Sequence, residues 1–185
     1  MERFFDVVIV GAGVAGLSAL LAVDPLQRVA VINPGSPLKT GSTWRAQGGV
    51  AVALGGDDTP ALHAADTIAA SRQMADDEAV RVLTTEGPER VRELLVEGMM
   101  VDRTEDGDTV FGLEAAHSRA RVIHDKDHTG RSLIGHLWSH ANRLENASFY
   151  DQRVVRLLTN QGGVGGVLLE DGRVLATPRV ILASG

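Results

Sequence analysis

Asp6-Val7-Val8-Ile9-Val10-Gly11-Ala12-Gly13-Val14-Ala15-Gly16 (DVVIVGAGVAG) is the stretch from which the rest of the chain takes its order. Val7 to Val10 is an unbroken run of β-branched residues, the pattern of a strand buried on both faces of a parallel sheet. Three glycines follow at once in GxGxxG spacing. The first permits a tight strand-to-helix turn, the second lets the backbone approach a pyrophosphate, and the third lets the next helix lie close on the strand. Free N–H groups at the start of that helix face the phosphates, where the helix dipole also favours negative charge. Gly11, Ala12, Gly13, Val14, Ala15 and Gly16 are therefore candidate dinucleotide-binding residues, with a tight βα turn that holds no ligand as the alternative.

With 185 residues, 44% of them hydrophobic, the chain is long enough for one sizeable core and reads as a globular α/β domain. No apolar run approaches a bilayer span, and the MERFF amino terminus lacks a basic stretch followed by an apolar segment. The expectation is a cytoplasmic protein with no membrane partner. The absence of cysteine excludes a disulfide framework, a thiolate zinc site, an iron–sulfur cluster and a cysteine nucleophile. A net charge of −6 without a basic cluster argues against nucleic acid. Two histidine pairs have helical spacing, His124 with His128 and His136 with His140, but no HExxH motif accompanies them and no metal site is expected.

Val14 to Ala22 reads as a short helix on the sheet, stopped by Asp24 and Pro25, and Val29 to Ile32 reads as the second parallel strand of a βαβ unit. NAD-binding versions place an acid at the end of that strand for the ribose hydroxyls. Asn33 holds the place here; its amide can still hydrogen-bond a ribose, and the change turns the reading away from NAD. The long loop from Asn33 to Val50 runs through GSTWRAQGG, and loops of that length commonly serve a ligand. Ser42 and Thr43 offer hydroxyls, while Gly48 and Gly49 let a flat ring lie against the backbone.

Pro60 to Gly98 reads as helical, with Asp76 and Asp77 as a cap, a solvated charged face, and Gly87-Pro88 dividing it into two helices. Met99 to Arg103 and Thr109 to Gly112 read as short extended pieces about the turn Glu105 to Asp108. Thr129 to Leu144 reads as a helix capped by Asp127, with His136 and His140 on its polar edge. The last third reads as β. Phe149 to Thr159, Gly165 to Glu170 and Arg173 to Ala176 form a three-stranded meander, and Arg179 to Ala183 is a further buried parallel strand.

Four segments in this order, GAGVAG, GSTWRAQGGVA, LEAAHSRARVIHDKDHTG and VILASG, resemble successive signatures of the succinate dehydrogenase and fumarate reductase flavoprotein family. The resemblance covers essentially the whole chain. It implies a Rossmann-like FAD-binding domain of glutathione-reductase type, a parallel sheet with a three-stranded β meander. Residues 1–185 are its amino-terminal part, so the domain is incomplete, with a capping domain and a C-terminal helical domain outside the sequence. FAD is the implied cofactor, held non-covalently because Ser42 stands where the membrane-complex members carry a histidine joined to it. Gly11 to Gly16 would bind the diphosphate. Ser42, Thr43, Trp44, Arg45, Ala46, Gln47, Gly48 and Gly49 would grip the ribityl chain and flavin edge, and backbone near Val154 and Val155 would meet the adenine.

Glu114 stands where the membrane-complex members have an aromatic residue and the family's soluble amino-acid-oxidising branch has a glutamate. A carboxylate is what a substrate ammonium group needs, since desolvating a charged amine is costly unless an opposite charge meets it. The implied reaction is oxidation of the small molecule L-aspartate to iminoaspartate, with oxygen or fumarate as acceptor and quinolinate synthase as a partner on the route to NAD. Glu114 and His117 are the candidate catalytic residues, His117 by its nearness to Glu114 and with a structural hydrogen-bonding role as its alternative. Ala115-Ala116 replaces the family's Gly-Gly pair, so a positive φ requirement there would shift the loop. A soluble fumarate reductase-like or succinate dehydrogenase-like flavoprotein and a non-catalytic FAD-binding module are the competing readings, and the 185 residues alone are expected to be inactive.

Overall fold

The computed structural model describes residues 3–185, so the first two residues of the MERFF stretch lie outside the described residues. Two units make up the chain, one formed by the residues up to Arg45 with Leu133–Gly185, the other by Ala46–Ser132. The first holds β1 (Arg3–Phe4), β2 (Val7–Val10), α1 (Val14–Ala22), β3 (Val29–Asn33) and α2 (Gly41–Arg45). The second holds β4 (Val50–Ala51), α3 (Pro60–Ala70), α4 (Asp77–Val96) and β5 (Val122–Ile123). The chain then passes through α5 (Thr129–Ala141) to β6 (Ala147–Asp151), β7 (Val154–Asn160), β8 (Gly163–Leu169), β9 (Val174–Ala176) and β10 (Val180–Leu182).

In the first unit, β2 sits in a four-stranded parallel sheet of order β10-β2-β3-β6, as expected for a strand with no polar face. Val8, Ile9, Val29, Val31 and Ile32 are at most 1% exposed. Side chains alternate between the faces, so Val8, Ala30 and Ile32 share one core cluster with Val167, Leu169 and Leu175 of the second sheet. Ile9 lies within van der Waals distance of the Cβ position of Gly16 in α1, whose Leu17 and Leu20 are buried. Burying each such aliphatic side chain contributes about 1.5–3 kcal/mol.

The expected mixed α/β fold with a parallel sheet is present, and several details differ from the sequence reading. Phe149 to Thr159 is not one strand: it breaks at Gln152-Arg153, giving β6 to the parallel sheet and β7 to the meander. Two sheets compete for that apolar run, and the chain serves both by turning between them. The antiparallel meander β7-β8-β9 also gains β1, parallel to β9, and so becomes a four-stranded sheet. Residues 33–50, read as loop, contain α2 and the start of β4.

The second unit is built from α3 and α4 with the β4–β5 pair, over a core of Val52, Val91 and Ile123. Thr59 caps α3 by accepting from Leu62 N–H at 3.2 Å, and Asp76 caps α4 by accepting from Ala79 N–H at 2.9 Å. The expected division at Gly87-Pro88 does not occur, because α4 runs unbroken through it with Pro88, Thr84, Val80 and Val91 buried on one face. Packing of that face outweighs the proline's missing N–H. The break lies instead between α3 and α4, where Arg72 and Gln73 take φ of 52° and 69°. Thr129 opens α5, which puts His128 rather than Asp127 at the cap position, and the helix ends at Ala141 rather than Leu144. Among the described residues no helix is long and apolar enough to cross a membrane.

Candidate functional site

The glycine turn is shaped by two close approaches. Gly11 has φ +106°, a region L side chains avoid, and a Cβ there would stand 2.3 Å from the Ala183 carbonyl oxygen at the end of β10. A Cβ on Gly16 would stand 1.9 Å from the Gly11 carbonyl oxygen, so the first turn of α1 can press onto β2 only without one. Ala12 N–H donates to Asn33 Oδ1 at 3.0 Å and Val14 N–H donates to Thr43 Oγ1 at 3.2 Å. Gly13 caps α1 and supplies no side-chain acceptor. Among the described residues, the N–H groups of Gly13 and Ala15 have no protein acceptor. They line a cavity of about 330 Å³ with Asn33, Thr40, Ser42 and Ser184, an arrangement suited to phosphate oxygens.

Asn33 is already engaged within the chain, its amide bridging Ala12 N–H to the Gly35 carbonyl, which Nδ2 reaches at 2.9 Å. Val154 lines a second cavity that shares Gly11, Asn33 and Ser184 with the first, whereas Val155 is exposed at the start of β7. Trp44 and Arg45 belong to α2.

The remaining candidates lie in the second unit. Thr129 Oγ1 donates to the Gly48 carbonyl at 2.6 Å and Gly130 N–H to the Ala46 carbonyl at 3.0 Å, so the start of α5 secures the loop from Ala46 to Gly48. The Gly49 Cβ position lies 2.3 Å from Val122 Cγ1 and 2.5 Å from the Ile123 carbonyl, so this glycine serves packing, while Gly48 is open on that side. Gln47, Gly48 and Glu114 line one open hollow with Asp102, His124, Lys126 and Asp127. Asp102 accepts from Lys126 N–H at 2.9 Å and pairs with His124 Nδ1 at 2.8 Å, and these contacts hold its carboxyl below the usual range. Glu114 is exposed, and its backbone carbonyl accepts from His117 N–H at 3.2 Å, closing a turn in which Ala116 takes φ +69°.

His117 is not among the residues lining that hollow; it belongs to a buried ion cluster that sequence reading missed. Arg121, 0% exposed, forks onto Asp58 through Nε and Nη2, both at 2.8 Å, and its Nη1 reaches Asp66 at 2.6 Å and His117 Nδ1 at 3.2 Å. Burial raises the Asp58 pKa, but the hydrogen bonds from Arg121 and Thr59 more than reverse this and leave it lowered. Asp66 is held down to about 2, first by the Ser118 backbone N–H and then by the Ser118 hydroxyl and Arg121. His63, 5% exposed, lies edge-on to His117 at 5.8 Å and is held below the usual histidine value by burial, with Arg121 and His117 adding to it. One partial signal was present: an arginine directly before the apolar pair Val122-Ile123 stands next to core residues, and a guanidinium buried there needs acids from elsewhere.

A parallel sheet whose first strand-to-helix turn leaves bare N–H groups on a cavity defines a dinucleotide-binding fold. The chain belongs to the FAD binding domain family, which matches residues 6–185, and FAD is the cofactor this assigns to it. It is 40% identical over 183 residues to the L-aspartate oxidase of Mesorhizobium japonicum and 43% identical over 187 residues to that of Caulobacter vibrioides. Each match covers 96% of this chain and 36% of the relative, so the chain spans about a third of the length of these curated relatives. The Sdh1 complex of Mycobacterium smegmatis in the apo form superposes with a TM-score of 0.89 at 27% identity, covering 100% of this chain and 35% of that one.

Proposed function

We propose that this chain is the FAD-gripping amino-terminal part of an enzyme that oxidises L-aspartate to iminoaspartate. The carrying observation is Glu114, an exposed carboxylate on a closed turn, lining one hollow with Gln47 and Gly48. Two relatives bearing the name L-aspartate oxidase, at 40% and 43% identity, support the same reading. Gly13 and Ala15 N–H donate to the diphosphate, assisted by the N-terminal end of the α1 dipole. Ser42 lines the same cavity and has no ring nitrogen to form a covalent link, so FAD is held non-covalently. Thr43 fixes the turn through Val14 N–H. Gln47 and Gly48 border the flavin edge, and backbone at Val154 and Val155 meets the adenine. Bound FAD supplies the two-electron redox chemistry. Glu114 takes the substrate ammonium, orienting the amino acid by charge, and oxygen or fumarate is the final acceptor. The setting is cytoplasmic, with quinolinate synthase consuming the product.

Two measurements test this. Gly13→Asp sets a carboxylate against the diphosphate and is expected to abolish the flavin absorbance retained by the purified chain; unchanged retention would count against the grip. In the full-length flavoenzyme, Glu114→Gln is expected to lower kcat/KM for L-aspartate about a hundredfold, the loss of one desolvated charge pair, and to leave succinate unaffected. An unchanged preference for aspartate over succinate refutes the assignment of Glu114.

A further inference from the structure

We infer that Arg121, clamped by Asp58 and Asp66, is a positioning residue that fixes the tautomer of His117 and thereby holds the Glu114–Ser118 turn in the conformation that presents Glu114. The inference rests on the reading of Glu114 as the ammonium-binding group.

Arg121 is fully enclosed, and its Nε and Nη2 are taken up by the two oxygens of Asp58. Nη1 faces both Asp66 Oδ2 and His117 Nδ1. A guanidinium has donors only and stays protonated, so His117 Nδ1 must accept. An imidazole that accepts at Nδ1 carries its proton at Nε2. Among the described residues that Nε2 has no protein partner. The ion cluster therefore holds His117 in one tautomer, within the same turn that carries Glu114.

Asp66 anchors the other end of the turn. Its Oδ2 accepts from Ser118 N–H at 2.7 Å and from Ser118 Oγ at 2.8 Å, besides Arg121 Nη1. His63 closes the cluster beside the His117 ring, buried and with its own Nδ1 without a hydrogen bond. Ala116 is held at φ +69° inside the turn, a conformation that persists in a non-glycine residue only where surrounding contacts over-determine it. Those contacts are the Glu114 carbonyl to His117 N–H bond, the Asp66 anchor on Ser118 and the Arg121 contact to His117.

Long-range proton–nitrogen NMR on the ¹⁵N-labelled 185-residue chain at pH 7 reads the tautomer directly. The expected result is a neutral His117 protonated at Nε2. In Asp66→Asn the His117 signals are expected to report mixed tautomers, and the Ser118 amide to exchange about tenfold faster, with the Val31 amide of the first unit unchanged. A wild-type His117 protonated at Nδ1 overturns the inference whether or not the variant folds. So does an Asp66→Asn chain in which tautomer and exchange are both unaltered. The aspartate preference of Glu114→Gln in the full-length flavoenzyme reports the ammonium reading separately, so failure of the tautomer and failure of that reading are told apart.

Discussion

Single residues divide here into those set by clearance and those set by charge. The space for a Cβ on Gly16 is taken by the Gly11 carbonyl oxygen at 1.9 Å, a backbone atom that cannot step aside. Gly16→Ala is therefore expected to destabilise the first unit by about 3 kcal/mol in denaturant unfolding, and to lower FAD affinity with it. Ala116 presents the opposite case. Its φ of +69° costs roughly 1–2 kcal/mol that glycine would not bear, against about 0.5–1 kcal/mol of extra chain entropy, so Ala116→Gly is expected to be neutral to about 1 kcal/mol stabilising. Of the pair Ala115-Ala116, only Ala116 takes a left-handed position among the described residues, and the turn keeps it. Asn33 shows how a side chain suited to a ribose can be recruited locally: its amide ties the glycine turn to Gly35.

Among the elements, α4 is the one whose sequence misleads. Glycine followed by proline in mid-segment reads as a break, yet the buried face through Val80, Thr84, Pro88 and Val91 holds the helix together. Gly87 has ordinary helical backbone and open space where a Cβ would lie. Gly87→Ala is accordingly expected to raise stability by about 1 kcal/mol, visible as an upward shift in the thermal midpoint. The β6–β7 break has a related cause. Periodicity marks the whole run from Phe149 to Thr159 as extended, but which sheet each half joins depends on partners far away in sequence, β3 for the first half and β8 for the second.

Across the molecule, acid stability should be governed by the ion cluster of the second unit. His63 lies below the ordinary histidine value of 6.5, so on acidification the unfolded chain takes up a proton before the folded one does. Its contribution is complete above that pH and is lost as pH falls further. Asp66, lowered from 3.8 to about 2, loses its contribution in turn as pH drops through that lower window. Denaturant midpoints are expected to fall from pH 7 to pH 5, and His63→Phe is expected to flatten that slope while leaving the decline below pH 4 in place. The local code of the chain was sufficient for the parallel βαβ core, the glycine turn and the cap at Asp76, because each depends on residues near in sequence: an apolar run, a spacing of glycines, a carboxylate before a helix. It also marked Glu114 and the GSTWRAQGG loop by their order of motifs. Only the tertiary structure decided that Asn33 binds its own turn, that Gly49 serves packing while Gly48 stays open, and that His117 joins Arg121, Asp58 and Asp66. Arg121 and Asp58 are 63 positions apart, and a buried charge chooses its partners by where folding places them, not by spacing along the chain.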